Sequence, residues 1–280
     1  MTVTTTARPG TARAEHDWLY YRIFVEEYED LRPLVDHTVR RVVAVARDID
    51  PDSRWFFLRF VDERGMHVRL RHHGRLDSIA ALEAVADRIL ADPGRMPPEL
   101  ARSYRGFAKG LYEPERAKFG GPAGVLLAQR ASRASSELAL ELSGPDEQGL
   151  RLGHGLATML IALELLPEAQ HASFLYNMTW YWTGRDGERA RAARARVAAA
   201  ARRVAPGLRH RLACVQDGPH APALAEYRHS LRRALAGYRA AAIPLTAPYL
   251  LFHLVHLTNN RLGIKPSEEA VLARWLQYER

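Results

Sequence analysis

The chain has 280 residues, 47% of them hydrophobic, and a formal net charge of +8 carried almost wholly by arginine, with lysine only at 109, 118 and 265. That size and composition suit one large domain or two small ones with a sizeable core. Cys214 is the only cysteine, which excludes an internal disulfide and a multi-cysteine metal site, and no apolar run of about 18 residues argues for a membrane span.

Residues 1–16, M-T-V-T-T-T-A-R-P-G-T-A-R-A-E-H, lack an apolar signal-peptide segment. They are expected to be a disordered tail on a cytoplasmic protein. The aromatic and β-branched run 18–25 reads as a strand. Leu31, Leu34, Val35, Val39, Val42, Val43 and Ala46 recur at helical spacing over 28–46. A turn at Pro51 leads into a strand at 54–61, and the turn D-E-R-G with Gly65 returns the chain into a strand at 66–73. A helix over 77–91 follows, with Asp77 or Ser78 as its N-cap, then a strand at 103–113.

Beyond Gly121 the pattern turns helical, over 122–142, 148–166, 170–182, 187–204, 222–239, 247–261 and 267–278. Pro167, P-G at 206, G-P at 218 and Pro244 are among the breakers. The order β-α-β-β-α-β followed by helices predicts an α+β fold: a ferredoxin-like, split β-α-β sheet layer packed against a C-terminal helical layer. One domain is expected over 17–280, with a sheet-rich part at 17–121 and a helical part at 122–280. The arginines scattered along 185–203 read as a solvated helix face. No nucleic-acid partner is therefore expected, the lack of a long apolar run argues against a membrane partner, and a homodimer is compatible with the sequence.

Four segments carry candidate chemistry. In M-H-V-R-L-R-H-H, His67, Arg69 and Arg71 are spaced two apart, so a strand presents all three on one face while Val68 and Leu70 face the core. That face is either a clamp for an anion or carbonyl or a solvated polar surface. L-Y-E-P-E-R-A-K-F-G-G, 111–121, places Tyr112, Glu113, Glu115 and Lys118 before paired glycines that permit a sharp turn. F-H-L-V-H-L-T-N-N-R, 252–261, sets His256 and Asn260 on one helical stripe, with His253 beside them. The pair His-x-x-His lacks a third ligand at a familiar spacing, so no metal site is expected. Finally, Tyr176, Trp180, Tyr181 and Trp182 crowd one segment, either as core or as a wall for a flat ligand.

The strand at 55–71, the Gly-Gly turn and the late helix, in that order, resemble the C-terminal domain of lantibiotic dehydratases, which also occurs alone in thiopeptide-type bacteriocin biosynthesis proteins. The resemblance spans about residues 18–278 and implies one of two activities. One is elimination of glutamate from glutamylated Ser or Thr; the other is the pyridine-synthase reaction. In the latter a formal aza-[4+2] cycloaddition joins two dehydroalanines, then water and the leader peptide are lost and the macrocycle closes. The family pattern carries onto Arg69, Arg71, position 118 and His256. Position 118 is Lys, which keeps the charge and loses the bidentate fork, and the acidic-Ser pair expected after the glycines is replaced by R-A-S-S-E-L. Both departures favour cycloaddition over elimination, and a non-catalytic peptide-binding module that keeps the fold is the remaining alternative.

That reaction needs a donor at an amide carbonyl and an acceptor at its N–H. It makes His67, Tyr104, Tyr112, Glu113 and His256 the catalytic candidates. Arg69, Arg71, Lys118, Tyr176, Trp180, Asn260 and Arg261 are the substrate-binding ones. The implied partner is a modified precursor peptide, a leader joined to a dehydrated, azole-containing core. No cofactor is implied.

Overall fold

The computed structural model describes residues 16–144 and 149–279. The expected tail lies outside the described residues except for His16, which opens the first strand. The elements run β1 (His16–Val25), α1 (Leu31–Pro33), a π-helical stretch (Leu34–Val39), α2 (Arg40–Ile49), β2 (Arg54–Asp62), β3 (Gly65–Arg75), α3 (Leu76–Leu90), α4 (Pro98–Ser103) and β4 (Tyr104–Lys109). Then come α5 (Arg116–Phe119), α6 (Gly121–Glu141), α7 (Arg151–Glu164), α8 (His171–Thr183), α9 (Glu188–Gln216), α10 (Ala221–Ala240), α11 (Ala247–Arg261) and α12 (Pro266–Glu279). An antiparallel sheet followed by helices makes the class α+β. The strand order is β2-β3-β1-β4 and every neighbouring pair is antiparallel.

Alternation along the strands sorts the two faces. Tyr21, Ile23, Trp55, Phe57, Val68 and Leu70 are fully buried and join one hydrophobic core with Val39 and Val42 and with Leu82 and Ala86 of α3. The helical layer meets the sheet along the outer edge of β2. Ser136 of α6 accepts from the Phe57 amide at 3.2 Å, and Arg261 Nε donates to the Phe57 carbonyl at 2.8 Å. Asn260 receives the Arg59 amide on Oδ1 and donates from Nδ2 to the Arg59 carbonyl, both at 2.9 Å. A strand edge left open would be unsatisfied or prone to pair with another chain; here α6 and α11 occupy it.

Three local expectations are corrected. Arg75, not Asp77 or Ser78, holds the N-cap position of α3, and Asp77 instead accepts from Ser78 N at 2.8 Å and pairs with Arg75 at 2.6 Å. The strand expected at 103–113 is shorter, because Pro98 starts the helical turn α4 and β4 ends at Lys109. Helix α9 runs through Pro206 to Gln216; Ala201 and Leu208 are fully buried on either side, and that packing carries the helix across the missing hydrogen bond.

Candidate functional site

The sheet's second face is built in rows across β1, β3 and β2. The register aligns Tyr20 with Arg71 and Phe56, Arg22 with Arg69 and Leu58, and Phe24 with His67 and Phe60. The chain after β4 crosses this face, bringing Tyr112 over Arg71. A cavity of about 300 Å³ lies between the face, this crossing segment, α6 and α11. Arg69 and Arg71 line it from β3, Tyr112, Glu113 and Lys118 from the crossing segment and α5, and His256, Asn260 and Arg261 from α11.

Arg71 is 8% exposed, and its guanidinium carbon lies 4.8, 5.0 and 5.4 Å from the rings of Tyr20, Tyr112 and Phe56. Its Nε has no hydrogen-bond partner. Burial holds Arg71 below the usual arginine range, with the hydroxyls of Tyr20 and Tyr112 opposing. Arg69 stacks on Phe60 at 3.2 Å and lies 3.6 Å from Asp62. One buried and one half-buried guanidinium held against rings suit a planar carboxylate or a peptide carbonyl.

His67 does not line the cavity. It is fully buried at the end of its row, between Phe24 and Phe60, with Nδ1 3.0 Å from the Gly65 carbonyl. Its Nε2 lies 3.2 Å from Arg69 Nε, which donates to it. Burial pushes its pKa down, against the Gly65 hydrogen bond. His67 therefore orients Arg69 rather than facing a ligand.

The paired glycines turn α5 into α6. Gly120 and Gly121 both have positive φ, at 72° and 91°. A Cβ on Gly120 would lie 2.4 Å from Ile243 Cγ2, so only glycine fits there. Lys118, one turn earlier, pairs with Glu115 at 3.3 Å. Gln129 of α6 accepts from Arg54 Nη1 at 3.1 Å and donates to the Tyr112 hydroxyl at 3.3 Å.

On the opposite wall, His256 is 22% exposed. Its Nδ1 lies 2.9 Å from Glu269 Oε2 of α12, and its ring centroid is 4.7 Å from that of Trp182. Glu269 is fully buried. His253, one turn before, is pushed down to about 4 by burial and by the nearby Lys118 and His256. Arg261 is buried, held by Phe57 and by Ser135 Oγ at 3.1 Å, and lowered to about 9 by burial. It braces the wall more than it faces the space.

Three sequence candidates lie elsewhere. The Tyr104 hydroxyl donates to the Leu90 carbonyl at 2.8 Å, and burial pushes its pKa up to about 12. Tyr176 is 54% exposed beside Glu168 and Arg274, in a separate depression. Trp180 is covered by Arg185 at 5.4 Å. Of the aromatic segment it is Trp182 that reaches His256. Gln129 and Glu269 were not singled out in the sequence, and neither stands at a spacing that signals its partner.

A cavity that joins desolvated cations to a histidine–carboxylate pair defines a site for holding a charged or strongly polar oxygen and moving a proton beside it. The family described as "Lantibiotic biosynthesis dehydratase C-term" matches residues 18–279, and the chain belongs to it. No curated protein sequence is a match. Among solved structures, the tRNA dependent lantibiotic dehydratase MibB from Microbispora sp. 107891 has a TM-score of 0.65 at 21% identity, covering 97% of this chain and 28% of that one. This chain thus spans 28% of that dehydratase's length. The pyridine synthase TbtD from thiomuracin biosynthesis has a TM-score of 0.66 at 18% identity, covering 94% of this chain and 96% of that one. TsrL follows at 0.57 and 19%, covering 95% and 96%. At these identities the likeness is one of fold.

Proposed function

We propose that the chain is an enzyme that modifies a ribosomally made precursor peptide, with the activity of a thiopeptide-type pyridine synthase. The reaction is the formal aza-[4+2] cycloaddition between two dehydroalanines, followed by loss of water and of the leader peptide. The observation that carries this reading is the single cavity shared by Arg69, Arg71, Tyr112 and His256. The fold likeness to a pyridine synthase and membership of the dehydratase C-terminal family support it. Arg69 and Arg71 would hold peptide carbonyls, and Asn260 and Arg261 shape the wall. Tyr112, Glu113 and His256 are the groups placed to move protons, and enclosure of both alkenes in one small space supplies proximity and orientation. His67 and Tyr104 have no proton-transfer role in this scheme. We also read the strand order as the ferredoxin-like, split β-α-β arrangement within one domain over 17–280.

The test is incubation with a precursor carrying two dehydroalanines, followed by mass spectrometry. Release of the leader as a separate carboxamide is expected. An intact precursor beside an active control synthase would overturn the assignment.

Glutamate elimination is the second reading, and Arg71 favours it. A largely buried guanidinium that lines the cavity suits a leaving carboxylate. Lys118 weighs against it, since its ammonium is tied to Glu115 and has no bidentate fork. Conversion of a glutamylated peptide to its dehydroamino acid form would establish this reading over the first.

A further inference from the structure

The two hydrogen-bonding groups on opposite walls of the cavity, Tyr112 and His256, are each tied from behind, and the ties have opposite polarity. An arginine side chain can only donate. The Arg54 contact of 3.1 Å therefore fixes the Gln129 amide with Oε1 towards Arg54 and Nε2 towards Tyr112. Nε2 donates to the Tyr112 hydroxyl oxygen at 3.3 Å, so the Tyr112 proton must point elsewhere. Tyr112 and Gln129 both line the cavity, and we infer that the proton is directed into it. On the other side the Glu269 carboxylate takes the Nδ1 edge of His256 at 2.9 Å. With Nδ1 as the donor, Nε2 of the neutral ring is the acceptor.

We propose that Gln129, held by Arg54, and Glu269 are positioning residues that give the cavity a fixed direction: Tyr112 donates and His256 Nε2 accepts, matched to one peptide amide lying between them. This rests on the proposed cycloaddition and specifies how its azadiene arises. The amide N–H bond breaks and its proton goes to Nε2. The carbonyl oxygen takes the Tyr112 proton, the C=O bond becomes C–OH and the C–N bond becomes C=N. His256 is left as imidazolium and Tyr112 as phenolate, so charge balances, and the Arg71 guanidinium 5.0 Å from the Tyr112 ring faces the negative partner. Neither positioning residue touches the amide.

Two near-isosteric variants test this. In Gln129→Glu the new carboxylate pairs with Arg54 and accepts from Tyr112, turning the hydroxyl proton away from the cavity. In Glu269→Gln the amide can donate to Nδ1 and release the enforced tautomer. Nitrogen-15 spectra of neutral His256, assigned by difference with His256→Asn, should show the Nδ1–H form in the parent protein and its loss in Glu269→Gln. The Tyr112 Cζ carbon should move downfield in Gln129→Glu, with Gln129→Met as the replacement if that variant does not fold; there the shift moves without a new acceptor. An Nε2–H parent, or spectra unchanged by the substitutions, would overturn the inference. These readouts need no substrate, so they decide it even if the precursor is not turned over and the proposed activity falls. With turnover, each variant should lose about tenfold or more in kcat with KM within about twofold, short of the 10²–10⁴ that loss of the proton transfer itself brings. Unchanged kcat would also overturn it.

Discussion

Replacing Arg71 with methionine should make the protein more stable and less active. Arg71 is buried at 8% exposure, its Nε lacks a partner, and burial depresses its pKa. An orphaned buried donor costs about 1–3 kcal/mol, and exchange of buried charges for well-packed apolar groups is often neutral or stabilising by about 1–4 kcal/mol. Against this stand the ring contacts at 4.8, 5.0 and 5.4 Å, which share one desolvated cation and are together worth about 2 kcal/mol. Methionine regains part of that through sulfur–aromatic contacts of about 0.3–1.5 kcal/mol. The balance is a gain of about 1–2 kcal/mol, or roughly 2–4 °C in Tm for a chain of 280 residues. A hydrogen bond to a charged group is worth about 1.5–3 kcal/mol, so kcat/KM should fall about 10- to 100-fold. Differential scanning calorimetry and the precursor assay measure the two effects. A Tm several degrees lower would mean that the fold itself requires the cation, and unchanged kcat/KM would remove Arg71 from the substrate site.

Three further outcomes follow from the geometry. Gly120→Ala should destabilise by about 3 kcal/mol, from left-handed strain and the overlap with Ile243. At Gly121, where a Cβ meets nothing, the same change should cost about 1 kcal/mol, and equal costs in urea unfolding would contradict this. Asn260→Ala should lower stability by about 2–4 kcal/mol, because it orphans both the amide and the carbonyl of Arg59; a loss under about 1 kcal/mol would mean that water replaces the side chain. His72 is fully buried with neither ring nitrogen partnered, and burial lowers its pKa to about 3. Below the unfolded value near 6.5 only the unfolded chain takes the proton, so stability is intact above that pH and is lost as pH falls towards 3, by about 1.4 kcal/mol per unit. His73 and His253, both near 4, act in the same direction. His72→Leu should flatten this dependence in unfolding titrations between about pH 7 and 5, and an identical slope would show that His72 is not its source.

The hairpin was the most legible part of the chain. Period-two alternation in 54–61 and 66–73 is enforced by burial on one side, and the observed strands contain both ranges, with Val68 and Leu70 fully buried. The long helices were legible for the same reason, since each must bury a stripe. Their ends were not. Pro206 is a breaker by backbone chemistry, yet the helix passes it because the residues on either side are committed to the core. Asp77 has the side chain of an N-cap, but β3 runs directly into α3 and its arginine draws the carboxylate away.

The site shows a sharper limit. Alternation decides which face a strand residue takes, and His67, Arg69 and Arg71 do share one. It does not decide which row a helix will cross, so His67 lies walled between two phenylalanines while Arg71 opens to the cavity. Helical period acts similarly on the aromatic segment. Successive residues turn about 100° around the axis, so four rings within seven positions cannot face one ligand, and only Trp182 reaches His256. Glu269 lies beyond the bend that follows α11, and Gln129 lies 75 residues from Arg54. Such pairings are fixed by how α6, α11 and α12 dock on the edge of β2. Residue type and spacing can therefore name groups that end up lining one cavity, but Gln129 and Glu269, which contact them from behind, come into view only once the helices are packed.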